Sequence, residues 1–228
     1  MIKPAIPDIV LTDNTNQRLP CVLVLDGSRS MSYKVEETSA IEELNKGLKE
    51  FELVLKNDDI ACQRVQILIL RFGDEDKVEV LQDWVDAVDF RAPVVNAKGR
   101  TPLGKATQLA LEKIKDQKNK YKIHDIPYNR PWLFLITDGG PTDKVWQTAA
   151  IDCCLAEAAG KLVVFPIGTT NANFEKLSKF SARPPIRLNG LNFMELFIWL
   201  SSSVSTTSKE APGTQVQLPD INWGATSE

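Results

Sequence analysis

One stretch, residues 19–31, Leu-Pro-Cys-Val-Leu-Val-Leu-Asp-Gly-Ser-Arg-Ser-Met, does most to limit what this chain can fold into. Residues 21–25 form an unbroken apolar run, too short for a helix and of the right length for a strand buried on both faces. At Asp26 the apolar character stops, and oxygen side chains follow on alternate residues, Asp26, Ser28 and Ser30, with Gly27 open to unusual backbone angles. If the backbone wraps there, three oxygens converge just beyond a strand's carboxyl end, where open α/β sheets bind ligands. Convergent hard oxygens suit a hard cation. Asp and Ser after a strand are also ordinary turn formers and helix N-caps, so the triplet alone leaves both readings open.

The rest of the chain alternates strands with helices. Ile41, Leu44, Leu48, Phe51 and Leu55 recur at helical spacing, with Thr38 or Ser39 as cap and 57–59 as the end. Two strands over 64–72 and 77–85, joined by the turn-rich 73–76, read as a hairpin with its second strand at a sheet edge. Thr101-Pro102 opens a second helix, with Thr101 as the expected N-cap, and the lysines of 113–122 form its solvated end. Residues 131–138 repeat the opening pattern, a buried strand that ends in a carboxylate, Asp138. Thr142 or Asp143 is the expected cap of a helix carrying Trp146, Ala149, Ala150 and Cys153. A buried strand over 162–167, a short helix over 173–180, a short strand over 186–188 and an apolar helix over 193–203 complete the pattern.

This order implies an α/β fold: a single doubly wound, mostly parallel sheet with helices on both faces and one antiparallel edge strand. The expected organisation is an arm over 1–14 with an edge strand at 9–11, one domain over 15–205, and a flexible or packed tail over 206–228 in which Trp223 could act as an anchor. In such a sheet the loops carrying Asp26, Ser28 and Ser30, Thr101, and Asp138 meet at one carboxyl edge, where one cation could reach all three.

Composition narrows the function classes. A net charge of −3 over 228 residues gives no basic footprint for nucleic acid or an anionic membrane. No apolar run approaches the length of a membrane span, and the first residues lack the layout of a signal peptide, so the expected compartment is the cytoplasm. Cys21, Cys62, Cys153 and Cys154 show no Cys-x-x-Cys spacing and read as reduced thiols. A single histidine, His124, is too few for a His-rich zinc site or a Ser-His-Asp triad.

The five oxygen-bearing positions resemble the metal-ion-dependent adhesion site (MIDAS) of von Willebrand factor type A domains: an Asp-x-Ser-x-Ser loop, a Thr on a second loop and an Asp on a third. Asp26, Ser28, Ser30, Thr101 and Asp138 match it in order. The segments 128–143, 100–104 and 216–219 further resemble a bacterial branch, the tellurium-resistance-associated proteins. That resemblance implies Mg²⁺, or else Mn²⁺ or Ca²⁺, held directly by Ser28, Ser30 and Thr101 and through waters by Asp26 and Asp138. A partner protein's Asp or Glu would complete the coordination, and no bond-making chemistry is expected. It also implies association with a protein kinase and a phosphatase in a stress-response operon. Arg29 departs from the glycine common between the two serines. Pointing outward it could reach a partner carboxylate; folded over the site it would oppose a cation.

Two other readings follow from the residues. A metal-assisted hydrolase or phosphotransferase built on Asp26 lacks an Asp-x-Asp pair, a phosphate-cradling Gly-x-x-x-x-Gly-Lys and a general base beyond Asp138. A metal-independent scaffold would instead use the apolar last helix and the tail.

Overall fold

The computed structural model describes residues 14–35, 37–74 and 77–226; the arm expected over 1–14 and its edge strand at 9–11 lie outside the described residues, Asn14 excepted. Strand β1 (Leu19–Gly27) is buried along its whole length. Its alternation divides the core: Cys21, Leu23 and Leu25 face one helical layer, Val22 and Val24 the other. A two-residue ribbon, β2 (Lys34–Val35) and β3 (Thr38–Ser39), leads into α1 (Ala40–Lys56). Here Ser39 and Glu42 form a reciprocal capping box: the Ser39 N–H donates to the Glu42 carboxylate at 2.9 Å, and the Glu42 N–H donates to the Ser39 hydroxyl at 3.4 Å.

A short helix, α2 (Ala61–Arg64), precedes the hairpin of β4 (Val65–Gly73) and β5 (Lys77–Asp86). Then follow α3 (Leu103–Ile123), β6 (Trp132–Thr137), α4 (Trp146–Ala158), β7 (Val163–Gly168), α5 (Phe174–Leu177), β8 (Ile186–Leu188), α6 (Phe193–Lys209) and β9 (Gly224–Thr226). The sheet runs β5-β4-β1-β6-β7-β8-β9. Its five inner strands are parallel, and both edges are antiparallel, β5 against β4 and β9 against β8. The fold is the expected mostly parallel α/β sheet, with a second antiparallel edge strand where one was expected. On one face α1 and α6 supply Leu44, Leu48, Phe51, Phe197 and Leu200; on the other, α3 and α4 supply Ala106, Ala110, Ile114, Ala149 and Cys153.

The last helix runs past the boundary expected at 205, to Lys209, because Val204, Thr207 and Ser208 still face the core. Beyond it the tail packs. Trp223 is fully buried against Trp199, whose indole N–H donates to the Pro219 carbonyl at 2.9 Å, and Leu218 and Ile221 lie against the same core. Gly224 lets the β9 backbone approach: a Cβ there would stand 2.7 Å from the Arg187 carbonyl oxygen. All four thiols are free.

Candidate metal centre

The chain leaves β1 for the β4–β5 side of the sheet and returns at β6 on the other side. The carboxyl ends of β1 and β6 therefore form the crevice where strand order reverses. Asp26 lies there, the penultimate residue of β1, with no exposed surface. Its Oδ1 accepts the Ser28 N–H at 2.7 Å, which wraps the following loop around the carboxylate. Its Oδ2 accepts the Thr137 hydroxyl and, at 3.4 Å, the Asp138 N–H. The Ser28 and Ser30 hydroxyls are 3.0 Å apart, and Ser30 donates to Asp138 Oδ1 at 2.8 Å. Asp26, Ser28, Ser30 and Asp138 thus close a ring of hydrogen bonds across two loops.

Thr101 lies on a third loop, which is tied to the segment after Asp138. Its carbonyl accepts the Thr142 N–H at 2.9 Å and its N–H donates to the Thr142 hydroxyl at 3.3 Å. Its Oγ1 lies 3.7 Å from where a Cβ on Gly139 would stand, beside Asp138. The structure thereby gathers all five sequence-selected residues at one sheet edge.

Thr101 is not the N-cap of α3. Pro102 holds that position without a side-chain bond, and the Gly104 N–H is instead met by Asp143 Oδ2 at 2.8 Å. Nor does Thr142 or Asp143 cap α4 from the N-cap position, which Val145 occupies; Asp143 Oδ1 accepts the Val145 N–H at 3.0 Å. One carboxylate thus serves the starts of two helices, a non-local arrangement that a local reading of Thr-Pro cannot find. It relieves the Thr101 hydroxyl of a structural duty.

Two contributors were not among the selected residues. Thr137 donates to Asp26 and accepts the Gly139 N–H at 3.1 Å, fixing both loops. Arg71, 5% exposed, holds the Gly27 carbonyl at 3.4 Å and the Asn96 carbonyl at 2.7 Å while pairing with Glu79 at 2.8 Å. Its signal was a lone charge inside the apolar run of β4. Arg29 is exposed, and its N–H donates to the Gly99 carbonyl at 3.1 Å, joining the first loop to the segment before Thr101.

Burial, and then the charge of Asp138, push the Asp26 carboxyl up to about 7, and burial also holds Asp138 above the usual carboxylate range. At Asp26 hydroxyls and a backbone N–H counter this; at Asp138 the Ser30 and Ser28 hydroxyls and its backbone do so together with the Asp26 side chain. Two adjacent carboxylates with no cationic side chain among the groups that counter them, beside three hydroxyls, form a donor set that fits a hard divalent cation. A set of three or more His, Cys, Asp or Glu is absent among the described residues, so hydroxyls are essential to any such site.

Solved structures share this fold at low identity. The pilus adhesin SpaC of Lactobacillus rhamnosus GG gives a TM-score of 0.68 at 12% identity, over 85% of this chain and 32% of its own. A von Willebrand factor type A protein of Catenulispora acidiphila gives 0.60 at 13% identity, over 84% of this chain and 43% of its own. Proximal thread matrix protein 1 of the mussel byssus, in a form with a zinc-occupied MIDAS motif, gives 0.58 at 14% identity, over 86% of this chain and 47% of its own. The chain spans less than half the length of each. A search of curated proteins finds no match. A family model of the von Willebrand factor type A domain matches residues 21–195, most of the chain, and the chain belongs to that family.

Proposed function

We propose that this chain is a Mg²⁺-dependent protein-interaction module with no bond-making activity. The observation that carries the proposal is the closed ring of Asp26, Ser28, Ser30 and Asp138 with Thr101 against it. When bound, Mg²⁺, or Mn²⁺ or Ca²⁺ in its place, supplies a Lewis-acidic centre that a partner's Asp or Glu completes. Ser28, Ser30 and Thr101 would hold it through neutral hydroxyls, and Asp26 and Asp138 would hold it through water. Neutral donors leave the cation's charge available to the partner. The two carboxylates are ordered by Thr137 and the loop N–H groups, and exposed Arg29 stands at the rim, where a partner's acidic side chain approaches.

The resemblance of 128–143 and 100–104 to tellurium-resistance-associated proteins supports a place in a bacterial stress-response system, with an operon-associated kinase and phosphatase as partners. The free thiols support a reducing, cytoplasmic setting. No helix among the described residues is long and apolar enough to cross a membrane. The rival scaffold that uses the last helix loses ground to the burial of Phe193, Leu196, Phe197, Trp199 and Leu200.

The test is a Mg²⁺ titration of thermal stability for the wild type and for Asp26→Ala with Ser28→Ala. At a hundredfold excess over its dissociation constant a ligand of the folded state stabilises by about 2.7 kcal/mol, a rise of several degrees. The wild type should shift and the double variant should not. Equal behaviour of the two, or partner recovery in a pull-down that EDTA leaves unchanged, counts against the metal bridge.

A further inference from the structure

We propose that α4 carries a second docking site, separate from the oxygen ring, for an amphipathic helix of a partner protein with an acidic flank. Helix α4 is apolar on both sides. Ala149, Ala150 and Cys153 face the core, while Ile151 and Leu155 point outward, 59% and 64% exposed. With Gln147, Cys154 and Ala158 they form a stripe at i, i+4, i+7, i+8 and i+11, a seam along one helix face. A helix that covers a sheet ordinarily turns charges outward; this one turns its largest aliphatic side chains outward.

Four residues of the stripe, Gln147, Ile151, Cys154 and Leu155, line a groove of about 440 Å³ between α4 and the segment after α5. Trp146, Ala150, Ile151 and Leu155 line one wall and Lys179 the other, with the Cys154 thiol 3.2 Å from the Lys179 carbonyl. From Gln147 to Leu155 the groove follows the helix for about 12 Å, a little over two turns. A groove of this form accepts a rod such as an apolar helix face.

Charge selects the occupant. The Lys176 ammonium stands 5.5 Å from the centre of the Trp146 ring and Lys179 borders the groove, so its rim is positive. The two acids of α4 do not offset this. Glu157 is engaged by Ser181 at 2.7 Å, Arg183 at 2.9 Å and the Val164 N–H at 3.1 Å, and Asp152 lies on the flank away from the stripe. An acidic amphipathic helix satisfies both stripe and rim. A second copy would set this lysine rim against itself, and a flat bilayer does not fill a concave groove. The site does not depend on the metal reading.

The probes are two labelled helical peptides of about 14 residues, four turns, with the same leucine stripe and either Glu or Lys on its flanks. Fluorescence anisotropy reads binding to the wild type, to Ile151→Glu with Leu155→Glu, and to Lys176→Glu with Lys179→Glu. These positions are surface ones, and circular dichroism and thermal unfolding verify each variant's fold. The Glu-flanked peptide should bind the wild type about tenfold or more tighter than the Lys-flanked one. The first variant should lose that binding, the second should reverse the preference, and EDTA should change neither. Equal binding of the two peptides, or binding that survives the first variant, overturns the proposal. So does sedimentation showing a wild-type dimer that the first variant dissolves, or wild-type binding to phosphatidylserine vesicles that the first variant abolishes.

Discussion

The Thr137 hydroxyl is shared between Asp26 and the Gly139 N–H, so one oxygen orders two loops. Thr137→Val keeps the shape but removes a hydroxyl donor to the buried Asp26 carboxylate and the acceptor of the half-buried Gly139 N–H, which should cost about 1–3 kcal/mol in urea denaturation, with Thr137→Ser restoring most of it. Equal stability of the valine variant would show that the ring does not need this hydroxyl. Asp58 works at a different junction, where it accepts from Lys209 at 2.7 Å, from the Ser205 hydroxyl, and from the N–H groups of Ile60 at 3.0 Å and Ala61 at 2.9 Å. Burial alone would raise its pKa; these donors outweigh burial and hold the carboxyl below its usual range. A depressed folded-state pKa means stability that is complete above the unfolded value and lost as pH falls through it towards the folded one. Urea midpoints measured between about pH 5 and pH 2 should therefore fall more steeply for the wild type than for Asp58→Asn.

At the scale of elements, Asp143 joins the starts of α3 and α4. Asp143→Ala should cost about 0.5–2 kcal/mol in thermal or chemical unfolding, the value of a lost helix cap. Gly104→Ala discriminates further: alanine favours helix, yet its Cβ would meet the Asp143 carboxylate and stand 2.5 Å from the Trp146 nitrogen, so the expected sign is destabilising. A gain in melting temperature would contradict that close approach. These contacts also mark where the sequence ceases to be legible. The Ser39–Glu42 capping box is local and could be read from four consecutive residues, as could the apolar runs of β1, β4 and β6. Thr101-Pro102 carries an equally local signal and misleads, because its cap comes from a carboxylate about forty residues away. Four of the five candidate positions stand in the sequence as oxygen-bearing side chains at the ends of strands, and Thr101 stands at a helix start. Their mutual distances, and the parts played by Thr137 and Arg71, depend on strand order, which no single segment encodes.

For the molecule as a whole, the tail is part of the sheet. Gly224–Thr226 has no apolar alternation to announce a strand, and its pairing with β8 depends on Trp223 finding Trp199 across the core. Trp223→Ala should lower stability by about 3–5 kcal/mol while the wild-type response to Mg²⁺ persists, read as paired thermal shifts with and without metal. A loss of that response would couple the far edge to the oxygen ring. A cut after Glu210 removes Trp223 and β9 together and should cost at least as much as Trp223→Ala; a cut at 205 also severs α6 and removes the Lys209 partner of Asp58.

The five candidate ligands sit on two kinds of backbone. Asp26 belongs to a central strand hydrogen-bonded on both sides, whereas Thr101 ends the irregular segment that follows β5. Amide hydrogen exchange should separate these halves: the β1 amides exchange only when the entire molecule opens, and those around Thr101 through small local openings. The strand-borne carboxylate is then the fixed part of the cluster and Thr101 the part that breathes, and slower exchange in the segment before Thr101 on addition of Mg²⁺ is the most local signal expected of the proposed metal site.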